Sequence, residues 1–170
     1  TLYHHQDIPL VALLQCYCYF PTETHPYIVP ELISQLSESN ALSLGNTEAS
    51  RDLTYVTDAV RGASKLINCP EAEGEVVNLG YSEDFTVEEL AYLVADEMGH
   101  DEISINVEQE RFRPLDVQQL HCDYSKASDL IDYEPEVSLQ DGLRRTIDWY
   151  LQNNGWIWED SLKDQLWTGN

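Results

Sequence analysis

From Ile8 to Phe20 the chain runs almost without a polar break, carrying Val11, Leu13, Leu14 and Tyr17 before Pro21 stops it. A run of this length suits a strand buried on both faces, the habit of parallel sheets covered on two sides. Such a strand needs neighbours on both edges, and the rest of the sequence offers too few strands to supply them. Cys16 and Cys18 lie two apart in the run, so alternation puts them on one side of the strand as small buried hydrophobes. Together with Cys69 and Cys122 they lack the spacing of a zinc site. A metal site that adds His4 and His5 is the weaker reading, and no metal ligand is assigned.

Further on, strands and helices alternate. Pro30 fits the first turn of a helix with Leu32, Ile33 and Leu36 on one side. A polar loop from Ser37 to Ser50 follows, with a short strand and turn at Leu42, Leu44 and Gly45. Leu53 to Val56 read as a strand, and Thr57 or Asp58 as the cap of a helix whose apolar side is Val60, Ala63 and Leu66-Ile67. Val76 to Gly80 read as another buried strand. Thr86-Val87-Glu88-Glu89 matches a capping box. Its helix carries Leu90, Ala91, Val94 and Met98 and stops at Gly99. Ile103, Ile105 and Val107 alternate as a strand. Ser125 to Leu130 form a short helix. Ser138 to Asp141 match a second capping box, before Leu143, Ile147, Tyr150 and Leu151. The class is α/β. The Trp-rich tail, residues 155–170, is left unassigned.

Charge narrows the possible partners. Nine Lys and Arg face 31 Asp and Glu, for a net charge of −22. Nucleic acid demands a basic footprint and is excluded as a partner. The acidic residues are spread along the chain, which speaks against a nucleic-acid mimic and resembles the proteins of salt-loving organisms. No apolar run approaches the roughly 20 residues that span a membrane. With no basic-then-apolar leader at its start, the sequence leads us to expect a cytoplasmic protein, where disulfides are not expected. Scarcity of cations also singles out Arg51-Asp52-Leu53-Thr54-Tyr55-Val56-Thr57-Asp58. Arg51 is either half of a structural ion pair or a donor fork for phosphate oxygens.

Several segments in fixed order then match one family. Pro30-Glu31-Leu32-Ile33-Ser34-Gln35-Leu36 precedes Leu44-Gly45 and the Arg51 stretch. Gly74-Glu75-Val76-Val77-Asn78-Leu79-Gly80 comes next, then Arg111-Phe112-Arg113-Pro114-Leu115-Asp116-Val117 and Asp123-Tyr124-Ser125-Lys126-Ala127. Tyr133-Glu134-Pro135, Leu139-Gln140-Asp141-Gly142-Leu143 and Thr146-Ile147-Asp148-Trp149-Tyr150 close the series. Over residues 8–154 this resembles the C-terminal half of the extended short-chain dehydrogenases/reductases, the NAD-dependent sugar-nucleotide epimerases and dehydratases. Within that family it is most similar to the nucleotide-sugar 4,6-dehydratases. The resemblance implies the last strands of a Rossmann-type sheet and a small mixed α/β domain for the nucleotide sugar, together filling residues 1–154. It implies that Arg51 and Arg113 contact the diphosphate or ribose. The segments at Pro30, Leu32 and Leu44 would line the base pocket. Arg111 would be either a third contact or an exposed structural residue. Asp58, Asp123 and Lys126 would be caps and ion pairs.

The departures are equally specific. The family's Gly-rich loop, which admits the dinucleotide's pyrophosphate, is missing. No tyrosine has Lys four residues on: Tyr81 is followed there by Phe85 and Tyr124 by Ser128. No catalytic residue is therefore assigned. NAD(P) belongs to the complete family enzyme and is not expected to be held by this chain alone. Where the family reads Leu-Arg-x-x-Asn-x-Tyr-Gly-Pro, this chain has Gln15 for the Arg, Cys18 for the Asn and Pro21 for the Gly. Two readings follow. One is the substrate-binding half of an enzyme, either cut from its gene or paired with a separate N-terminal Rossmann half. The other is a degenerate, non-catalytic binding or interaction module. In either, an unpaired sheet edge and an exposed apolar face lead us to expect self-association.

Overall fold

The computed structural model describes residues 9–23, 27–112 and 115–153. In chain order these contain β1 (Ala12–Gln15), β2 (Tyr17–Tyr19), α1 (Ile28–Glu38), β3 (Ala41–Leu44), β4 (Ser50–Tyr55) and α2 (Val56–Ile67). Then come β5 (Val76–Leu79), β6 (Asp84–Thr86), α3 (Val87–Glu97), β7 (Ser104–Val107), β8 (Gln119–Leu120), α4 (Ser125–Ile131) and α5 (Leu139–Gln152). Single 3-10 turns occupy Pro70–Ala72 and Gln109–Arg111. The alternation of strand and helix is that of an α/β protein. None of the described helices is long and apolar enough to cross a membrane. The tail 155–170 lies outside the described residues, as do His4 and His5. The chain divides into two compact units.

The first unit comprises the described residues 9–19, 51–84 and 120–139. In it β1 pairs with β5 in parallel, Leu13 opposite Val77, and β2 pairs with β4 in parallel, Cys18 opposite Thr54. Leu66, Ala72, Val77, Leu79, Ala127 and Tyr133 form its core, with Leu130 and Ile131 packed against them. Two buried carboxylates tie distant segments together. Asp52 accepts N–H bonds from Tyr81 (2.8 Å), Ser82 (2.7 Å) and Cys122 (3.2 Å). Asp58 accepts from Glu136 N (3.0 Å) and Val137 N (2.9 Å) and pairs with Arg61 at 2.7 Å. Buried carboxylates are tolerated on such terms, with their lone pairs filled by fixed donors.

The second unit comprises the described residues 20–23, 27–50, 85–112, 115–119 and 140–153. Here β3 pairs with β7 in parallel, Leu42 opposite Ile105, and α1 packs on β3 and α3. Val29, Leu32, Ile33, Leu36, Leu42, Leu44, Leu90, Ala91 and Val94 are all buried. The capping box of α3 forms as read: Glu89 N donates to Thr86 Oγ1 at 3.1 Å and Thr86 N to Glu89 Oε2 at 2.8 Å. Gly99 ends the helix with φ +80°, the left-handed cap that glycine adopts without strain.

Four expectations change. The run from residue 8 to 20 is two strands, parted at Cys16, and every residue of β1 is exposed. The described residues pair β1 with β5 alone, so one edge and much of its apolar surface meet solvent. Cys16 and Cys18 are half-buried, not core. Val56 is the first residue of α2, and Tyr55 precedes it with no side-chain cap, so neither Thr57 nor Asp58 caps the helix. The packed face of α2 is Asp58, Ala59, Gly62 and Leu66, while Val60 and Ile67 are 62% and 77% exposed. The helix turns toward the backbone that Asp58 grips, and that contact outweighs burying two apolar side chains.

Candidate nucleotide-binding site

In the second unit a polar network joins three of the segments singled out from sequence. Glu31 lies in the first turn of α1, and Gln35 is one turn on. Gln35 Nε2 donates to Glu31 Oε1 at 2.7 Å and to the Ser43 carbonyl at 3.1 Å, and its Oε1 accepts from Ser43 N at 2.7 Å. Arg111 completes the set: Nη2 meets Glu31 Oε1 at 2.9 Å, and Nη1 donates to the Ser43 carbonyl. Arg111 is thus a structural ion-pair partner, and half-buried rather than exposed.

Beside this network the turn after β3 is pressed against the segment after β7. Glu108 N donates to the Leu44 carbonyl at 2.8 Å. A Cβ added at Gly45 would stand 2.7 Å from the Arg111 carbonyl oxygen, so only glycine allows this approach. Asn46 Nδ2 reaches Asp116 Oδ2 and Gln118 Oε1, both at 3.3 Å. The structure therefore brings the Leu44-Gly45 turn against residues 108–111 and 116–118, which flank Arg113 in sequence. Arg113 itself lies outside the described residues. The side chains of Leu32 and Leu44 are 0% and 3% exposed, and Pro30 is buried with them. They pack the core beneath this edge and offer no side-chain surface as a pocket wall.

Arg51 belongs to the first unit. It is half-buried in β4, with its guanidinium carbon 6.0 Å from the centroid of the Tyr17 ring, a cation–π arrangement that holds the fork in place. Its neighbour Asp52 spends both carboxylate oxygens on backbone N–H groups. Burial pushes the Asp52 carboxyl above its ordinary range, and the three N–H bonds pull it only partly back. Gln15, at the family's Arg position, donates its side-chain amide to the Leu79 carbonyl at 3.2 Å. Asp123 accepts from Ser125 N at 2.9 Å at the start of α4, and Lys126 pairs with Glu75 at 3.0 Å.

Sequence reasoning missed Glu31 and Ser43 as partners of Arg111, and Gln35 as the side chain that bonds both of them. The one signal available was the spacing of Glu31 and Gln35, four apart on a helix.

A dinucleotide cofactor needs a glycine turn between a strand and a helix N-terminus. Among the described residues β4 enters α2 at Tyr55-Val56 and β6 enters α3 at Thr86-Val87, both without glycine. These residues do not fit the pyrophosphate of NAD(P).

Comparison with known proteins agrees with the parallel α/β architecture. The family model described as GDP-mannose 4,6 dehydratase matches residues 9–146. The chain belongs to this family of NAD-dependent sugar-nucleotide epimerases and dehydratases, within the extended short-chain dehydrogenases/reductases. Among curated relatives it is 31% identical over 141 residues to an uncharacterized UDP-glucose epimerase of Bacillus subtilis, covering 82% of this chain and 44% of that one. A UDP-glucuronate 4-epimerase of Thermodesulfobacterium geofontis is 27% identical, with 89% and 46% covered. The solved UDP-glucuronic acid 4-epimerase of Bacillus cereus, in complex with UDP-glucuronic acid and NAD, superposes with TM-score 0.79 at 29% identity over 89% of this chain and 48% of that one. The chain spans about half the length of the curated relatives it matches.

Proposed function

We propose that this chain is the substrate-holding half of a nucleotide-sugar epimerase or dehydratase and does not transfer hydride by itself. One observation carries the reading. The family match runs from residue 9 to 146, yet the sequence holds neither a Gly-rich loop nor a Tyr-x-x-x-Lys pair. Arg51 and Arg113 are the proposed contacts to the diphosphate or ribose, since planar donor forks suit phosphate oxygens. Pro30, Leu32 and Leu44 are proposed to shape the base pocket from beneath, through the backbone that their buried side chains fix. NAD(P) and the acid/base residues are proposed to come from an N-terminal Rossmann half, in the same polypeptide or as a separate subunit.

Calorimetry with UDP-, dTDP- and GDP-sugars tests the first part. Micromolar binding to at least one is expected. Arg51→Ala should weaken it by about 2 kcal/mol, the worth of a lost charged hydrogen bond. Turnover on mixing with a cognate N-terminal half tests the second part. The engagement of Gln15 with Leu79, together with Cys18 at the Asn position, favours the other reading, a non-catalytic module. A folded chain that binds none of these ligands would decide for it.

A further inference from the structure

Two cysteines far apart in sequence meet within the first unit. Cys16 closes the end of β1, where its N–H donates to the Leu79 carbonyl at 3.0 Å. Cys122 lies on the segment before α4, and three bonds hold that segment. Cys122 N donates to Asp52 at 3.2 Å, Ser82 Oγ donates to the Cys122 carbonyl at 2.7 Å, and Asn78 Nδ2 donates to the Asp123 carbonyl at 3.2 Å. Both backbones are thus fixed against the same end of β5. Gly80, next after Leu79, makes the room: a Cβ there would fall 2.3 Å from both Cβ and Sγ of Cys122. The register that sets Gln15 opposite Leu79 carries Cys16 alongside Gly80, so the two cysteine side chains meet across that space.

We propose that Cys16 and Cys122 form a reversible dithiol/disulfide pair, a modification site that takes oxidised glutathione or a similar low-molecular-weight disulfide as its oxidant. Metal binding is the poorer use of the pair, since the described residues bring no third His, Cys, Asp or Glu to complete a site. Cys122 is 2% exposed and Cys16 half-buried, so the oxidant enters at Cys16. The Cys16 thiolate attacks the glutathione disulfide, forming a mixed disulfide and releasing one glutathione thiolate. Cys122 then gives up its proton and attacks Cys16 Sγ, displacing the second glutathione. Two protein thiols are oxidised to one disulfide, and one glutathione disulfide is reduced to two thiols. Burial pushes both thiols above their ordinary range, with the Asp52 carboxylate adding to it. Exchange is therefore slow at neutral pH and faster as pH rises. The ring closed spans about 100 residues, a length at which a cross-link restricts the unfolded chain strongly.

The test is to equilibrate the reduced chain in glutathione buffers of increasing oxidising strength, quench with an alkylating agent, and map chymotryptic peptides. Cleavage after Tyr17 separates Cys16 from Cys18. The expected product is a Cys16–Cys122 cross-link, with Cys18 and Cys69 still alkylated. It should form faster at higher pH, disappear with dithiothreitol, and raise the melting temperature by several degrees. Cys122→Ser should stop at a glutathione adduct on Cys16, and Cys18→Ser should leave the cross-link intact. The proposal is overturned if the folded wild-type chain keeps both thiols alkylatable at every ratio, or if Cys16 pairs with a different cysteine.

Discussion

Arg111 reaches back across 80 residues of sequence to Glu31, with Nη2 2.9 Å from Oε1. The pair is partly buried, at 20% and 11% side-chain exposure, and Gln35 bonds the same carboxylate oxygen. Removing either charge leaves the other short of partners in a poorly solvated place. Glu31→Ala and Arg111→Ala should each lower stability by about 1–3 kcal/mol, with solvent access holding the loss below that of a fully buried pair. The double mutant should cost less than the sum, because the two share one interaction. Urea unfolding of the four proteins measures this, and strict additivity would remove the ion pair from the account.

Gly80 and Cys122 make a second coupled pair. Gly80→Ala drives a methyl into the Cys122 side chain at 2.3 Å. The Cys122 backbone is held by Asp52 and Ser82 and cannot retreat freely. A loss of about 1–3 kcal/mol is expected, the usual range for overpacking. Cys122→Gly in the same chain should recover part of it. Thermal melts of the single and double variants decide, and equal losses with and without Cys122 would locate the strain elsewhere.

The parts of the fold that were legible in sequence rest on local rules. Thr86 and Glu89 carry a capping box in their side chains, and Gly99 ends a helix because it tolerates positive φ. Ile105 and Val107 show the period of a strand. What sequence could not show depends on partners far along the chain. The apolar run at Leu13 and Leu14 promises burial on both faces, but burial requires covering elements, and the described residues give β1 one neighbour. Val60 and Ile67 fit an apolar helix face as well as Ala59 and Leu66 do. The choice between the faces is made by Asp58, which grips Glu136 and Val137. Sequence left Arg111 open between a third contact and an exposed structural residue, because its partner Glu31 lies on a helix 80 residues earlier, a separation at which pairing leaves no local trace.

Asp123 offers a test in pH. Its carboxylate accepts the Ser125 N–H at 2.9 Å, and that bond, with the Ser125 side chain, holds its pKa below the ordinary 3.8. The folded state therefore prefers the ionised form more than the unfolded chain does. The resulting stabilisation is present above 3.8 and is lost as pH falls through the lower folded value. Asp123→Ala should accordingly be less stable than wild type at neutral pH, and the gap should close in acid. Paired unfolding curves across the acid range measure it, and a gap that widens as pH drops would contradict a role for the Ser125 bond.

The last expectation concerns β1. Leu13 and Leu14 of β1, Leu10 just before it, Tyr17 of β2 and Val76 of β5 are between 38% and 56% exposed, and the described residues pair β1 along one edge. An open edge with apolar flanks is a template for another chain. Against it stands a net charge of −22, whose repulsion acts between copies as well as within one. Salt separates the two effects: it screens repulsion over about 10 Å at 0.1 M and about 3 Å at 1 M, while leaving apolar attraction in place. The isolated chain should be largely monomeric in dilute buffer and associate as KCl rises, and Leu14→Glu should suppress that association. Sedimentation velocity at several salt concentrations reads it directly. Association that weakens with salt, or that Leu14→Glu leaves unchanged, would place the contact on charged groups away from β1.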